Sequence, residues 1–193
     1  MPRAGLSPAK VVAEAAALAD EVGFENLSLA ALAPRLGVKL PSLYKHISSL
    51  DALRLDVSAL ALRELATVMT TAVLGKSGSA AFRALAEAYR DYALAHPGRY
   101  AASVSAPTGE HVQQEEAAAA VLQVVLAALS GYGLTGDDAI DAARAMRAAL
   151  HGFVDLETHH AFGLPTDIDR SYRRLVEGID TTMTAWADAG DAG

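Results

Sequence analysis

The chain has 193 residues, a net charge of −7 and no cysteine. That length suits one domain, or a small domain attached to a larger one, with enough sequence to bury a core unaided. The missing thiols exclude a disulfide framework and any thiolate metal site.

Charge is spread unevenly. The first 50 residues carry five Lys/Arg against four acids, and the remaining 143 carry eleven against nineteen. Such asymmetry hints at two jobs in one chain. The opening stretch, "MPRAGLSPAKVVAEAAALADE", has no long apolar run behind its positive charges, so it is not a signal peptide. A cytoplasmic location is the expectation.

The pattern is helical nearly throughout, without sustained period-two alternation. Ser7-Pro8 offers an N-cap and a first-turn proline. Val11, Val12, Ala15, Leu18, Ala19 and Val22 then mark one face of a first helix, which Gly23 ends. Ser28 caps a short second helix running to Leu36 and stopped by Gly37. A third is predicted from about Leu40 to Ile47, and Ser49 or Asp51 opens a long fourth reaching about Leu74. "GKSGS" (75–79) is the clearest break. An amphipathic helix follows over Ala80–Ala95, with Phe82, Leu85, Tyr89 and Tyr92 at helical spacing. His96-Pro97-Gly98 breaks the chain before a short helix to Ser105, and "APTGE" (106–110) breaks it again. Long helices are predicted from about Glu110 to Tyr132, Asp137 to His160 and Asp167 to Ala187, nine in all.

Ala117–Thr135 is uncharged over about one bilayer-spanning length. It is mostly alanine, breaks at Gly131 and Gly133, and has acidic flanks with no Lys/Arg to orient it. It reads as a buried helix of a bundle.

Residues 28–47 read as helix, tight turn, helix. Leu29, Leu32, Ala33 and Leu36 give the first helix a buried face. Gly37 supplies the positive φ that reverses the chain, and Val38 plugs the turn. The second helix buries Leu43 and Ile47. Its other residues (Lys39, Leu40, Pro41, Ser42, Tyr44, Lys45 and His46) have no core to join, and no acid lies among them. They suit the major groove of DNA, entered by the N-terminal end of a recognition helix. The bland alternative is a helical hairpin with a solvated polar face.

The order of residues adds to this. "LSLAALAPRLGVKLPSLYKHISSLDAL", Leu27 to Leu53, resembles the DNA-binding segment of TetR/AcrR-family transcriptional regulators. Leu43-Tyr44-Lys45-His46-Ile47 is similar to the family's Leu-Tyr-x-His/Tyr-Phe/Ile/Val run, and "AAALADEVGFENLSL" to its first helix and approach. The resemblance implies that Tyr44 and His46 press on phosphates and the groove wall. Lys39 and Lys45 would neutralise backbone charge. Leu40, Pro41 and Ser42 would sit at base edges. The first two offer only apolar contact, for instance to a thymine methyl, and Ser42 is the hydrogen-bonding candidate. Ser28 would cap its helix and aim that N-terminus at a phosphate, and Arg3 would reach the backbone or minor groove from an N-terminal extension. Two features depart from the family. Ala30 stands where many relatives have Arg or Lys, and Pro34 sits inside the second helix, where it should remove the bond to the Ala30 carbonyl.

Such readers dimerise across two half-sites. The last two helices carry apolar residues on more than one face, so Leu150, His151, Val154, Leu175 and Ile179 are candidates for a homodimer interface. His151-Gly152, with Leu156-Glu157 and Phe162-Gly163 downstream, resembles the regulatory domain of one branch of the family, although "MRAA" stands where that branch often has a Trp. His151, Asp155 and His159 share a helix face, but a straight helix cannot bring all three to one ion. No metal or cofactor is expected. No Ser/His/Asp or paired-carboxylate arrangement supports catalysis. The helices between Ala80 and Tyr132 would enclose a small-molecule pocket lined by Tyr89, Tyr92, Tyr100, Leu122, Val125, Met146 and Phe153, with Arg99 among its polar members. Each of these can equally be plain core.

The sequence therefore predicts an all-α chain. A helix-turn-helix DNA-binding domain over residues 1–50 is joined by a long helix to a helical regulatory, ligand-binding and dimerisation domain over 51–193. The expected function is a ligand-responsive, homodimeric repressor on double-stranded operator DNA, released by a small-molecule effector, with no membrane partner. The rival reading is an all-helical protein–protein adaptor whose helix-turn-helix is only structural.

Overall fold

The computed structural model describes residues 6–104 and 111–190. Among them run α1 (Pro8–Val22), α2 (Leu29–Arg35), α3 (Leu40–Leu43), α4 (Leu50–Val73), α5 (Gly78–Ala95), α6 (Pro97–Val104), α7 (Val112–Ser130), α8 (Gly136–Thr158) and α9 (Ile168–Gly190), with a 3-10 turn at Phe24–Asn26. These are nine α-helices and no strand among the described residues, as the periodicity predicts. Arg3 and the break at 106–110 lie outside the described residues. No described helix is long and apolar enough to cross a membrane.

The caps follow the sequence closely. Ser7 Oγ accepts the Lys10 N–H at 3.3 Å, Ser28 Oγ the Ala31 N–H at 3.3 Å, and Ser49 Oγ the Ala52 N–H at 3.0 Å. Each satisfies a first-turn donor that the helix itself cannot. Ser49, rather than Asp51, therefore opens α4. α3 is shorter than its apolar spacing suggests and closes at Leu43 instead of Ile47. Beyond it the backbone tightens. The His46 N–H bonds the Leu43 carbonyl at 2.8 Å, an i→i+3 step, and the Ile47 N–H shares that carbonyl at 3.1 Å, which brings Ile47 inward.

The helices pack as two compact units, one holding the chain to Glu64 with Ala95–Ala120, the other Leu65–Leu94 with Val121 onward. The first is larger than the motif over residues 1–50, because α6 packs tightly on α1. At Gly98 an added Cβ would collide with the Ala19 carbonyl, so only glycine allows this approach. Asp20 then caps α6, accepting the Arg99 N–H at 2.8 Å, and its other oxygen lies 3.1 Å from Arg99 Nε and 3.4 Å from His96 Nδ1. The core of this unit joins Val11, Ala15 and Leu18 of α1 to Leu29 and Leu32 of α2, Leu43, Ile47, and Leu53 and Val57 of α4. Val22, predicted on the buried face of α1, is instead 41% exposed, since the helix ends there and the chain turns away.

The second unit is pinned by two polar centres that sequence spacing does not reveal. Asp180 of α9 accepts from Tyr132 at 2.5 Å and from Arg83 Nη2 of α5 at 2.8 Å. Arg90 of α5 is paired with Glu157 of α8, and its Nη2 also reaches Asp169 of α9 at 2.7 Å. The Arg90 guanidinium lies 4.9 Å from the centre of the Tyr172 ring, and the Tyr172 hydroxyl donates to the Ala86 carbonyl at 2.6 Å. Burial pushes both tyrosine hydroxyls, Tyr132 and Tyr172, well above the usual phenol range, so they stay protonated donors.

Candidate nucleic-acid interface

The turn between α2 and α3 is set by backbone bonds. Gly37 has φ +67°. The Val38 N–H reaches the Ala33 carbonyl at 3.1 Å and the Gly37 N–H reaches that of Pro34 at 3.0 Å. This crossed pair is a Schellman closure, which needs a left-handed residue at the glycine position. Pro34 sits inside α2 and near its end. Its carbonyl accepts part of that closure, so it terminates the helix rather than disrupting its middle.

Leu43, fully buried, and Ile47, 7% exposed, anchor the second arm. The residues between and before them are left outside. Leu40 is 39% and Tyr44 57% exposed, Lys39, Pro41 and Lys45 are exposed, and Ser42 and His46 are half-buried. One surface thus carries two lysines, an aromatic, a hydroxyl, an imidazole and an apolar tip. Ser28 is half-buried and committed to its cap. Lys39 occupies the N-cap of α3 without a side-chain cap bond. A four-residue helix has almost no dipole to offer, so the expected pull of its N-terminus on a phosphate is small.

The chain holds no acid between Glu25 and Asp51, while Arg35, Lys39 and Lys45 lie in that stretch. Arg35, however, is turned to the protein. Its Nε bonds Glu14 at 2.7 Å, and its two terminal nitrogens bond Glu21 at 2.6 and 2.9 Å. Those bonds hold Arg35 firmly protonated and draw the Glu21 carboxyl below its ordinary range. Arg54 likewise donates to the Glu25 carbonyl at 3.1 Å. The cations on the outer face of α3 and the turn after it are therefore lysines. The role of Arg35 was missed in sequence because its partners lie on α1, 14 and 21 residues away.

The other predicted sites are more dispersed. Arg99 and Tyr100 belong to the first unit, and Tyr89, Tyr92, Leu122, Val125, Met146 and Phe153 to the second. Tyr92, Tyr100, Val125 and Met146 are buried, whereas Leu122 is 41% exposed. The Phe153 ring packs at a tilt between those of Phe162 and Tyr172, with ring centres 4.8 and 5.1 Å away. Arg99 is held by Asp20 and Glu64. Among the interface candidates, Leu150 and Val154 are covered by the chain itself and Ile179 nearly so, leaving them no surface for a partner to cover. They are core because they fill the inward stripe of their helices. His151 and Leu175 stay partly open, and Leu156 and Trp186 are exposed.

Residues 82–179 match the family model described as "Tetracyclin repressor-like, C-terminal domain". An HTH-type transcriptional regulator of Mycobacterium tuberculosis (strain H37Rv), Rv0681, is 40% identical over 191 residues, covering 94% of this chain and 85% of that one. The chain belongs to the TetR family of helix-turn-helix transcriptional regulators. Solved structures share its fold. BioQ with its double-stranded DNA operator superposes with a TM-score of 0.62 at 23% identity, over 91% of this chain and 99% of that one. A TetR variant from Acinetobacter baumannii AYE in complex with minocycline gives 0.64 at 22%, over 97% and 98%.

Proposed function

We propose that this TetR-family regulator is a homodimeric repressor that grips operator DNA in the cytoplasm through the face of α3 and the turn after it, and that a small molecule releases it. The observation that carries the reading is the acid-free, outward-turned set Lys39, Leu40, Pro41, Ser42, Tyr44, Lys45 and His46, supported from below by Leu43 and Ile47. A purely structural hairpin has no need for an exposed tyrosine between two lysines. Lys39 and Lys45 supply salt-dependent phosphate contacts, Tyr44 and His46 brace the backbone, and Leu40, Pro41 and Ser42 meet base edges. Ser28 and Arg3 are secondary backbone contacts.

A DNA complex of one relative and a drug complex of another support both partners. One reading head covers too few base pairs to be selective, so two copies would bind a two-fold operator. The exposed Leu156 and Trp186 of the last two helices, with the partly open Leu175 and His151, are where this reading puts the pairing surface. Release follows from differential affinity. An effector that binds better to the conformation with misplaced heads shifts the population off DNA by that difference and no more. Tyr89, Tyr92, Val125 and Met146 are the better-placed lining candidates, being wholly or partly covered.

Transcription of a reporter joined to the DNA upstream of the protein's own gene tests the direction of control. Expression should fall when the chain is supplied and recover when Tyr44→Ala replaces it. Expression that rises with the chain would make it an activator, and no change with either would remove that DNA as its target.

A further inference from the structure

The chain meets its need for positive charge almost wholly with arginine. Of its 16 cationic residues only Lys10, Lys39, Lys45 and Lys76 are lysines. Two of those four, Lys39 and Lys45, stand on the face proposed to meet DNA, and both are exposed. Neither ammonium has a hydrogen bond or ion pair among the described residues. The arginines nearest them in sequence are committed inside the protein, Arg35 to Glu14 and Glu21, and Arg54 to the Glu25 carbonyl. No acid lies between Glu25 and Asp51. The other two lysines have different settings. Lys76 Nζ donates to the Ala72 carbonyl at 2.6 Å, and Glu14 follows Lys10 about one turn along α1. Phosphate contact alone gives no reason for lysine on this face, since a guanidinium holds phosphate oxygens with two parallel bonds and keeps its charge throughout. An amine adds one property. It can give up its proton and act as a nucleophile.

We propose that Lys39 and Lys45 form an acylation site, modified by acyl phosphates, and that the modification releases the operator. An acyl phosphate is itself an anion. The charge that draws a DNA backbone therefore draws it to the same face, along a stretch that holds no carboxylate to repel it. The reaction is a simple transfer. A neutral lysine Nζ attacks the acyl carbon, the N–C bond forms, and the C–O bond to the phosphoryl group breaks. Inorganic phosphate leaves with the electron pair, the surplus proton on nitrogen passes to water, and nothing is oxidised or reduced. An uncharged amide then stands where an ammonium stood, and one phosphate contact is lost with each lysine modified. Bound operator should shield both amines, so the free protein is the form that reacts. The inference rests on the reading of this face as the DNA contact and supplies its regulation.

The test treats the full chain with acetyl phosphate and follows each lysine by peptide mass spectrometry, with and without a duplex from the protein's own upstream region. Lys39 and Lys45 should be acetylated at least about fivefold faster than Lys10 and Lys76, and the duplex should slow those two alone. The acetylated chain should bind the duplex more weakly, with the slope of log affinity against log salt lower by about two. In the double variant Lys39→Arg, Lys45→Arg, acetyl phosphate should leave operator affinity where it started, because a guanidinium is not acylated. Equal or faster acetylation of Lys10 or Lys76, no acetylation of the pair, or an equal loss of affinity in the arginine variant would overturn the proposal. A chain that binds the duplex and loses salt slope in Lys45→Ala, yet shows no preference for the pair, fails this proposal alone. Fast acetylation of the pair that the duplex does not slow, with operator binding unchanged, fails the reading of this face as the DNA contact, and the proposed regulation with it.

Discussion

Arg35 and Glu21 meet as a two-pronged pair, with the guanidinium nitrogens 2.6 and 2.9 Å from the two carboxylate oxygens. The fork geometry matches what an arginine would offer guanine in the major groove. Engaged instead by Glu21 and Glu14, it ties the end of α2 to α1 and fixes the platform on which α3 stands. The face proposed to meet DNA is thereby left with lysines as its cations and Leu40 as its apolar tip.

Salt dependence should separate these roles. Lys45→Ala should lower the slope of log affinity against log salt by about one, the loss of one neutralised phosphate. Arg35→Gln should leave that slope unchanged while weakening the fold. Acid should do the same to the unmutated protein. The Glu21 carboxyl is depressed by Arg35, so its contribution is present above the ordinary carboxylate pKa and fades as pH falls through the lower folded value. Glu21→Gln should flatten that acid limb. Anisotropy titrations at several salt concentrations and melting curves at several pH values provide the checks.

Base discrimination should reside in methyl groups. Replacing operator thymines by deoxyuridine one at a time should find a position where losing one methyl, worth about 0.8 kcal/mol when buried, weakens binding roughly fourfold. In Leu40→Ala the two duplexes should bind alike. A guanine requirement at that position would point to a cation that the structure does not place there.

Gly98→Ala should destabilise the first unit by about 1–3 kcal/mol, the usual cost of forcing an atom into a packed contact. The new Cβ meets the Ala19 carbonyl, which is backbone and cannot step aside as a side chain would. Urea unfolding with unchanged slope and a lowered midpoint would verify it.

Tyr172→Phe should cost about 1 kcal/mol, a typical net value for one hydrogen bond. It removes the donor to the Ala86 carbonyl but keeps the ring against Arg90 and Phe153. Tyr172→Leu should cost more, because the ring contacts go too. Thermal melts of both variants distinguish these contributions.

Local chemistry was legible in the sequence, and distant pairing was not. Ser7, Ser28 and Ser49 announce helix starts because a cap is a contact three residues long. Gly37 announces the turn between α2 and α3 because few other residues tolerate its φ. The exposed set from Lys39 to His46 was visible because its neighbours Leu43 and Ile47 are spaced for burial. Helical period alone could not tell which apolar stripe faces inward, so Leu150 and Val154 were read as interface and proved to be core. Nor could it show that Gly98, which reads as a chain breaker, is a contact surface for α1. The Asp180 and Arg90 centres join residues 48 to 97 apart, and no spacing rule reaches that far.

The central claim is that the outward face around Tyr44 binds DNA. It is tested most directly by fluorescence anisotropy of a labelled duplex from the protein's own upstream region, titrated with the unmutated chain and with Tyr44→Ala. Tyr44 is 57% exposed, so its loss should leave the melting temperature almost unchanged. The account expects tight, salt-sensitive binding that an unrelated duplex does not compete away, weakened at least about tenfold in the variant. Superimposable curves for the two proteins on the specific duplex would contradict it.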